Sequence, residues 1–336
     1  MLEIDGSYGE GGGQILRYSL ALAGLTRTPF RIFNIRKGRK KPGLMPQHLA
    51  SVRAVKEITR GEVAGDEHGS LELVFRPGPV QAGEYSFDVA EERGSAGSVA
   101  LVLQAVLPIL ASIPEKSRVI IKGGTHVPFA PIYDYLDSVL FPFLIQLGLD
   151  LRCQIKSYGF YPKGGGEIEV LIRGGRTRPV ELIERGGRVR LKATSVVANL
   201  PESIALRQLN PLRERLSPLE TEVKVVRSKG PGTYIFLKAE YERTIAGFSA
   251  LGRKGKPAEV VGKECLDQFL NFEKQSGIDH HLSDQILIYL INSDGKSIFK
   301  TSQVTNHLKT GIWIINRFLP DRVRIKGSVV EVMGRY

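Results

Sequence analysis

An α/β sequence of the α+β kind, with three repeated units forming a core and a small inserted α+β domain, is the fold this chain predicts. Three observations predict it. Segments with apolar residues at helical spacing alternate with short β-branched runs. That alternation recurs three times in one order, which is how an internal repeat shows itself. A stretch of about a hundred residues late in the chain breaks the order.

The first unit opens on a helical EGGGQILRYSLALAGL, followed by the strand-like FRIFNI, a basic loop, the helical PQHLASVRAVKEI and the strand-like LELVF. The second repeats this with SAGSVALVLQAVLPILA, RVIIKG, the loop GTHVPF, APIYDYLDSVLFPFLIQLG and EIEVLI. The third runs LSDQILIYLI, SIFKTS, TNHLKTGIWIINRFL, then VRIKG and VVEVM. Residues 179–277 interrupt the pattern. The Gly/Arg-rich IRGGRTRPVELIERGGR, a hinge-like composition, runs across their start, and they carry their own strand-like runs RVRLKATSVV, TEVKVV and TYIFLKAEY. The expected organisation is a discontinuous core, 1–178 plus 278–336, around an inserted domain at 179–277.

Composition restricts the function classes. Hydrophobic content of 42% with 24% charged residues describes an ordinary globular chain rather than a disordered one. No run reaches the length of a membrane span, and MLEIDGSYGEGGG is not a basic-then-apolar leader, so a cytoplasmic address is expected. Cys153 and Cys265 lie far apart and make neither a disulfide framework nor a zinc knuckle. A net charge of +12 points to a polyanionic partner, and the basic residues cluster in IRKGRKKPG, Ile35 to Gly43. A solvated turn would use the same residues.

The candidate site residues fall at matching places in the repeats. Glu10 and Gln14, then Gln104, then Asp284 and Gln285 lie near the first helix of the three units. Gln47 and His48, then Pro131, then His307 lie near the start of the second. Equivalent helix starts from three packed units can converge on one cleft.

Several segments carry chemistry. GSYGEGGGQILR sets glycines around Glu10 just before a helix, an arrangement that lets backbone N–H groups approach phosphate. The carboxylate would repel a bare phosphate, so a metal bridging the two is one resolution and a tight structural turn the other. There is no G-x-x-x-x-G-K-[ST] loop and no K-x-D-G lysine-nucleophile box, so activation by ATP would need another nucleophile. Of six histidines, His307 stands at the mouth of a helix that would bury Leu308, Ile312, Ile315 and Leu319. A neutral imidazole is a competent nucleophile at phosphorus, while a histidine bonding a backbone carbonyl at a helix end is the plainer alternative. His48 shares the register, so spacing does not choose between them. His281 and Asp284 lie on one helix face, where the carboxylate could orient the imidazole or hold adenine and ribose hydroxyls. Metal ligation by His280 or His281 with Asp284 is a rival, and Ser283 or Asp279 could cap the helix.

Taken together, GSYGEGGGQILR, RKGRKKPGLMPQHL, GSAGSVALVLQAVLP, GGTHVPFAP, GFYPKGGGE, DHHLSDQ and the terminal NHL before RFLP resemble the RNA 3'-terminal phosphate cyclase family along the whole chain. The resemblance implies βαβαββ-type core units and an enzyme that converts an RNA 3'-terminal phosphate to a 2',3'-cyclic phosphate. It implies that a histidine, here His307, takes AMP from ATP with loss of pyrophosphate. ATP contacts would fall on Gln104, Pro131, His281, Leu282, Ser283, Asp284, Gln285 and Glu10. Glu10 would be the carboxylate associated with a divalent metal, Mg²⁺ or Mn²⁺. Some relatives carry Tyr at the position of His281.

Two polyanions meeting at one phosphorus need cations, and Arg17, Arg36, Arg39 and Lys41, with Gln47, are placed to hold the RNA phosphate. The rivals are a non-catalytic branch of the same fold that acts in ribosome assembly and lacks the histidine, and a sugar-nucleotide-type transferase on a similar repeated scaffold.

Overall fold

The computed structural model of the chain describes residues 1–89 and 96–335. Gly94 and Ser95, which open the GSAGSVALVLQAVLP segment, lie outside the described residues.

The chain begins with β1 (Leu2–Asp5), α1 (Gly13–Thr26), β2 (Phe30–Phe33), α2 (Pro46–Thr59), β3 (Glu62–Ala64) and β4 (Leu73–Arg76). These strands form one sheet in the order β1-β2-β4-β3, with β1 parallel to β2 and the other pairs antiparallel. Next come β5 (Glu84–Asp88), α3 (Val99–Leu110) and β6 (Lys116–Gly123). The helical stretch that follows is broken into α4 (Tyr133–Tyr135), a π-helical turn (Leu136–Leu140) and α5 (Phe141–Gln146). Pro142 has no N–H to offer Ser138, so the ladder widens just before it. β7 (Asp150–Ser157) and β8 (Gly166–Arg173) complete a second sheet, β5-β6-β8-β7, with the same pairing senses as the first.

A short β9 (Glu181–Leu182) precedes a separate run: β10 (Arg188–Ala198), α6 (Glu202–Arg215), β11 (Glu220–Val226), β12 (Gly232–Tyr241), β13 (Ile245–Leu251) and α7 (Ala258–Glu273). Its sheet, β11-β10-β12-β13, has its own apolar cluster, in which Leu209, Ile235, Leu237, Cys265 and Phe269 are fully buried. The chain then makes α8 (His280–Leu290), β14 (Lys296–Lys300), α9 (Asn306–Phe318), β15 (Val323–Lys326) and β16 (Val329–Met333). This last sheet, β15-β16-β14-β9, takes its fourth strand from Glu181 and Leu182, inside the stretch the sequence sets apart. The fold is α+β, with four small mixed sheets.

The larger apolar cluster joins the first two sheets and the last one, and α1 lies at its centre, packed against α2, α3 and α9. That position explains why α1 is buried nearly all round, down to Gln14 and Arg17. The strands the sequence did not display, β1, β3, β5, β7, β9 and β13, are short or lie at sheet edges, and several alternate charged with apolar residues. Among the described residues no helix is long and apolar enough to cross a membrane.

Candidate active site

Three helix starts meet at one point. Thr305 caps α9: its side chain accepts from the Leu308 amide at 2.9 Å and donates to Asp284 Oδ1 of α8 at 2.8 Å. From α1, Gln14 Nε2 donates to the carbonyl of His307 at 2.9 Å, and the Tyr18 hydroxyl donates to the carbonyl of Asp284. Asp279 caps α8 by accepting from the His281 amide, while Ser283 Oγ donates to the Asp279 carbonyl.

The turn before α1 carries Glu10 between Gly9 (φ +58°) and Gly11 (φ +53°), two left-handed positions that a side chain would strain. Glu10 Oε2 comes within 3.5 Å of His307 Nε2 and 3.6 Å of Arg39 Nη2. The His307 side chain is half exposed. Burial of its ring pushes the pKa below the usual histidine value, Glu10 opposes the shift, and Arg17, His281 and Arg39 add to it. The ring is therefore neutral near pH 7, with a lone pair to give.

His48, which shares the register of His307, has a different role. It is buried, its Nδ1 accepts from the Met45 amide at 3.0 Å, and a Cβ on Gly13 would stand 2.5 Å from its Nε2. Burial first, then Arg17 and Arg36, push its pKa down to about 3. Its accepting nitrogen is already used, and the ring is a packed helix cap.

Two cavities share a wall. The larger, about 610 Å³, is lined by Gln104, Pro131, His281, Asp284 and Gln285, together with Tyr18, Gln303 and residues of the separate sheet's β13 and α7, Ser249 to Leu251 and Glu264. The smaller, about 360 Å³, is lined by Glu10, Arg36, Arg39, Gln47 and His48. Gln14, Arg17, Leu101, Phe129 and His307 line both. The structure thus brings together most of the residues singled out in the sequence, sorted into two compartments. It leaves three apart. Leu282 and Ser283 are fully buried on the inner face of α8, and Lys41 is exposed and lines neither cavity.

The electrostatics of the shared wall suit an anion. Arg17 is buried, its Nε donates to Gln104 Oε1 at 3.2 Å, and among the described residues no carboxylate pairs with it. Burial lowers its pKa to about 10. Deeper in the larger cavity, burial is the main cause that pushes Asp284 up to about 8, helped by Asp279 and Glu10 against the Thr305 hydrogen bond, so this carboxyl can hold a proton and donate it. Gln285 Nε2 donates to the His281 carbonyl at 3.0 Å, whereas among the described residues its Oε1 is a buried acceptor with no partner. The donor set of a nucleoside triphosphate, hydroxyl and amino groups at one end and phosphates at the other, fits these residues. The His281 ring lies edge-on to Tyr135 at 6.2 Å and beside His280 at 4.1 Å. Among the described residues no three His, Cys, Asp or Glu side chains converge as a metal cage.

The sequence reading missed Thr305, Tyr18 and Phe129. Thr305 was legible in principle as the N-cap of V-T-N-H, but Tyr18 and Phe129 gave no local sign.

The pattern that describes RNA 3'-terminal phosphate cyclases matches residues 8–325 of this chain. The chain belongs to that family. Among its relatives, the RNA 3'-terminal phosphate cyclase of Gloeothece citriformis is 44% identical over 327 residues, 95% of this chain and 93% of its own. That of Sulfurisphaera tokodaii is 43% identical, covering 98% and 97%, and that of Pyrococcus abyssi 42%, covering 98% and 96%. Membership therefore spans bacterial and archaeal relatives at almost full length. Among solved structures, the enolpyruvyl transferase NikO of Streptomyces tendae aligns over 99% of this chain and 81% of its own, with 10% identity and a TM-score of 0.30; a likeness so slight bears on neither fold nor function.

Proposed function

We propose that this family member converts an RNA 3'-terminal phosphate to a 2',3'-cyclic phosphate at the expense of ATP, through a covalent adenylate on His307. The observation that carries the reading is the place of His307 in the wall between two cavities, one suited to a nucleotide and the other lined with arginines. A nucleophile that must take AMP from one partner and hand it to another needs such a position.

ATP enters the larger cavity, with its adenosine toward Gln104, Pro131, His281, Asp284 and Gln285 and its α-phosphate beside Arg17. The Nε2 lone pair of His307 attacks the α-phosphorus, the bond from that phosphorus to the bridging oxygen breaks, and pyrophosphate leaves. The ring keeps its Nδ1 proton, so the adenylyl group is carried on an imidazolium that can leave again as neutral imidazole. An oxygen of the RNA 3'-phosphate, held by Arg36, Arg39 and Gln47 in the smaller cavity, attacks the same phosphorus and breaks the P–N bond. The vicinal 2'-hydroxyl attacks the RNA phosphorus and gives up its proton to water, the anhydride bond breaks and AMP departs. RNA is selected over DNA by the chemistry, since the 2'-hydroxyl is the second nucleophile. Glu10 is the carboxylate that would hold Mg²⁺ or Mn²⁺, a charge able to offset that of the phosphates when bound. Leu282 and Ser283 would act through the backbone of α8, and Lys41 by long-range attraction of RNA.

Incubation with ATP labelled at the α-phosphate tests the proposal. Label should attach to the protein, be lost in acid and survive alkali, and His307→Ala should abolish it. Labelling that persists in that variant would move the nucleophile elsewhere.

A further inference from the structure

The GGTHVPFAP segment ends in a turn whose base and tip are built differently. The base is fastened. His126 is buried, its Nε2 lies 2.8 Å from Asp134 Oδ2, and its Nδ1 lies 2.8 Å from Thr125 Oγ1. Asp134 Oδ2 also accepts from the Tyr234 hydroxyl at 2.8 Å, and the His126 ring stacks on Tyr234 with centroids 4.2 Å apart. Because Tyr234 belongs to β12, the loop is held by two sheets at once.

The tip has no such support. Phe129 follows Pro128 at φ +64°, a left-handed position usually filled by glycine or asparagine, and its side chain is fully exposed, at 103% of the reference area. An aromatic ring held in water on a strained backbone combines two unfavourable choices. Among the described residues nothing covers the ring, so the gain is sought in a bound partner. The ring's position identifies the partner's place, because Phe129 lines both cavities at the wall they share with Arg17 and His307.

We propose that Phe129 is a nucleobase subsite, stacking on the base of the RNA's 3'-terminal nucleotide. This rests on the cyclase reading above. In that reading the terminal nucleotide brings both its phosphate and its 2'-hydroxyl to His307, so its base, one ribose away, emerges at the rim where Phe129 stands. The adenine of ATP belongs deeper in the larger cavity, beside the unpartnered Gln285 oxygen. Every base has a π face, so the subsite tolerates any terminal base and favours those that stack best.

The test compares Phe129→Ala and Phe129→Trp with the parent on two RNAs, one ending in adenosine 3'-phosphate and one whose terminal ribose phosphate lacks a base. Because Phe129 also lines the larger cavity, the labelling of Phe129→Ala by ATP is measured alongside, and the subsite is read from the ratio of its losses on the two RNAs. The KM of Phe129→Ala for the intact RNA should rise about 5- to 150-fold, the equivalent of about 1–3 kcal/mol of base stacking, with kcat little changed. On the base-less RNA the parent and Phe129→Ala should behave alike, and Phe129→Trp should keep the parent's KM on the intact one. Equal losses on both RNAs, or an unchanged KM on the intact one, would overturn the subsite. A parent that takes no label from ATP would sink the cyclase reading and the subsite with it, whereas a labelled parent indifferent to Phe129 sinks the subsite alone.

Discussion

His307 and His48 sit at equivalent helix starts, but their surroundings give them opposite uses. His48 has given its accepting nitrogen to the Met45 amide inside the core, whereas His307 keeps Nε2 directed at Glu10 in an open cleft. On the proposed mechanism self-adenylylation needs the neutral ring, so its rate should fall as pH drops through the His307 pKa, which burial places below the ordinary 6.5. The acid limb of the single-turnover labelling rate should therefore have its midpoint below 6.5. Among the described residues Glu10 is the one neighbour that raises that pKa, so Glu10→Gln should move the midpoint further down, even as the rate itself drops. A midpoint that moves up would contradict this account of the ring's environment.

At the scale of elements, the start of α9 joins a helix cap to the floor of the site. One hydroxyl, that of Thr305, caps α9 and donates to Asp284 at the cavity floor. Thr305→Ala should cost about 0.5–2 kcal/mol, read as a lower urea midpoint at unchanged m value, while Thr305→Ser stays near the parent. It should also slow labelling, because the Asp284 carboxyl loses its fixed donor. A variant that loses stability but labels at full rate would separate the cap from the site. This cap was legible in the sequence, since a threonine two residues before His307 opens a segment with strong helical spacing. The edge strands were not. Each gains its stability from a neighbouring strand rather than from its own residues.

Across the whole molecule, the sheet formed by β10 to β13 closes over α6 and α7 to make a second apolar cluster, yet it lends Ser249 to Leu251 and Glu264 to the larger cavity. Phe269 is fully buried in that cluster, and Phe269→Ala should cost about 3–5 kcal/mol. Limited proteolysis of that variant should cut first within 188–273, and ATP-dependent labelling should weaken with it, because one wall of the larger cavity, where the proposal places ATP, comes from there. Cuts that begin elsewhere would mean the two clusters unfold as one.

What the sequence determined by itself were the properties that depend on neighbours along the chain. Helical spacing defined α1, α2, α3, α8 and α9, a basic total foretold a polyanionic partner, and the quoted segments announced the family. Tertiary structure alone decided which equivalent residues face an open cleft and which are packed away. The hydrogen bond from Gln14 to His307 joins positions 293 residues apart, and the choice between His307 and His48 depends on what is packed around each ring. Burial and charge at a site are sums over groups brought together by folding, and no local pattern carries them.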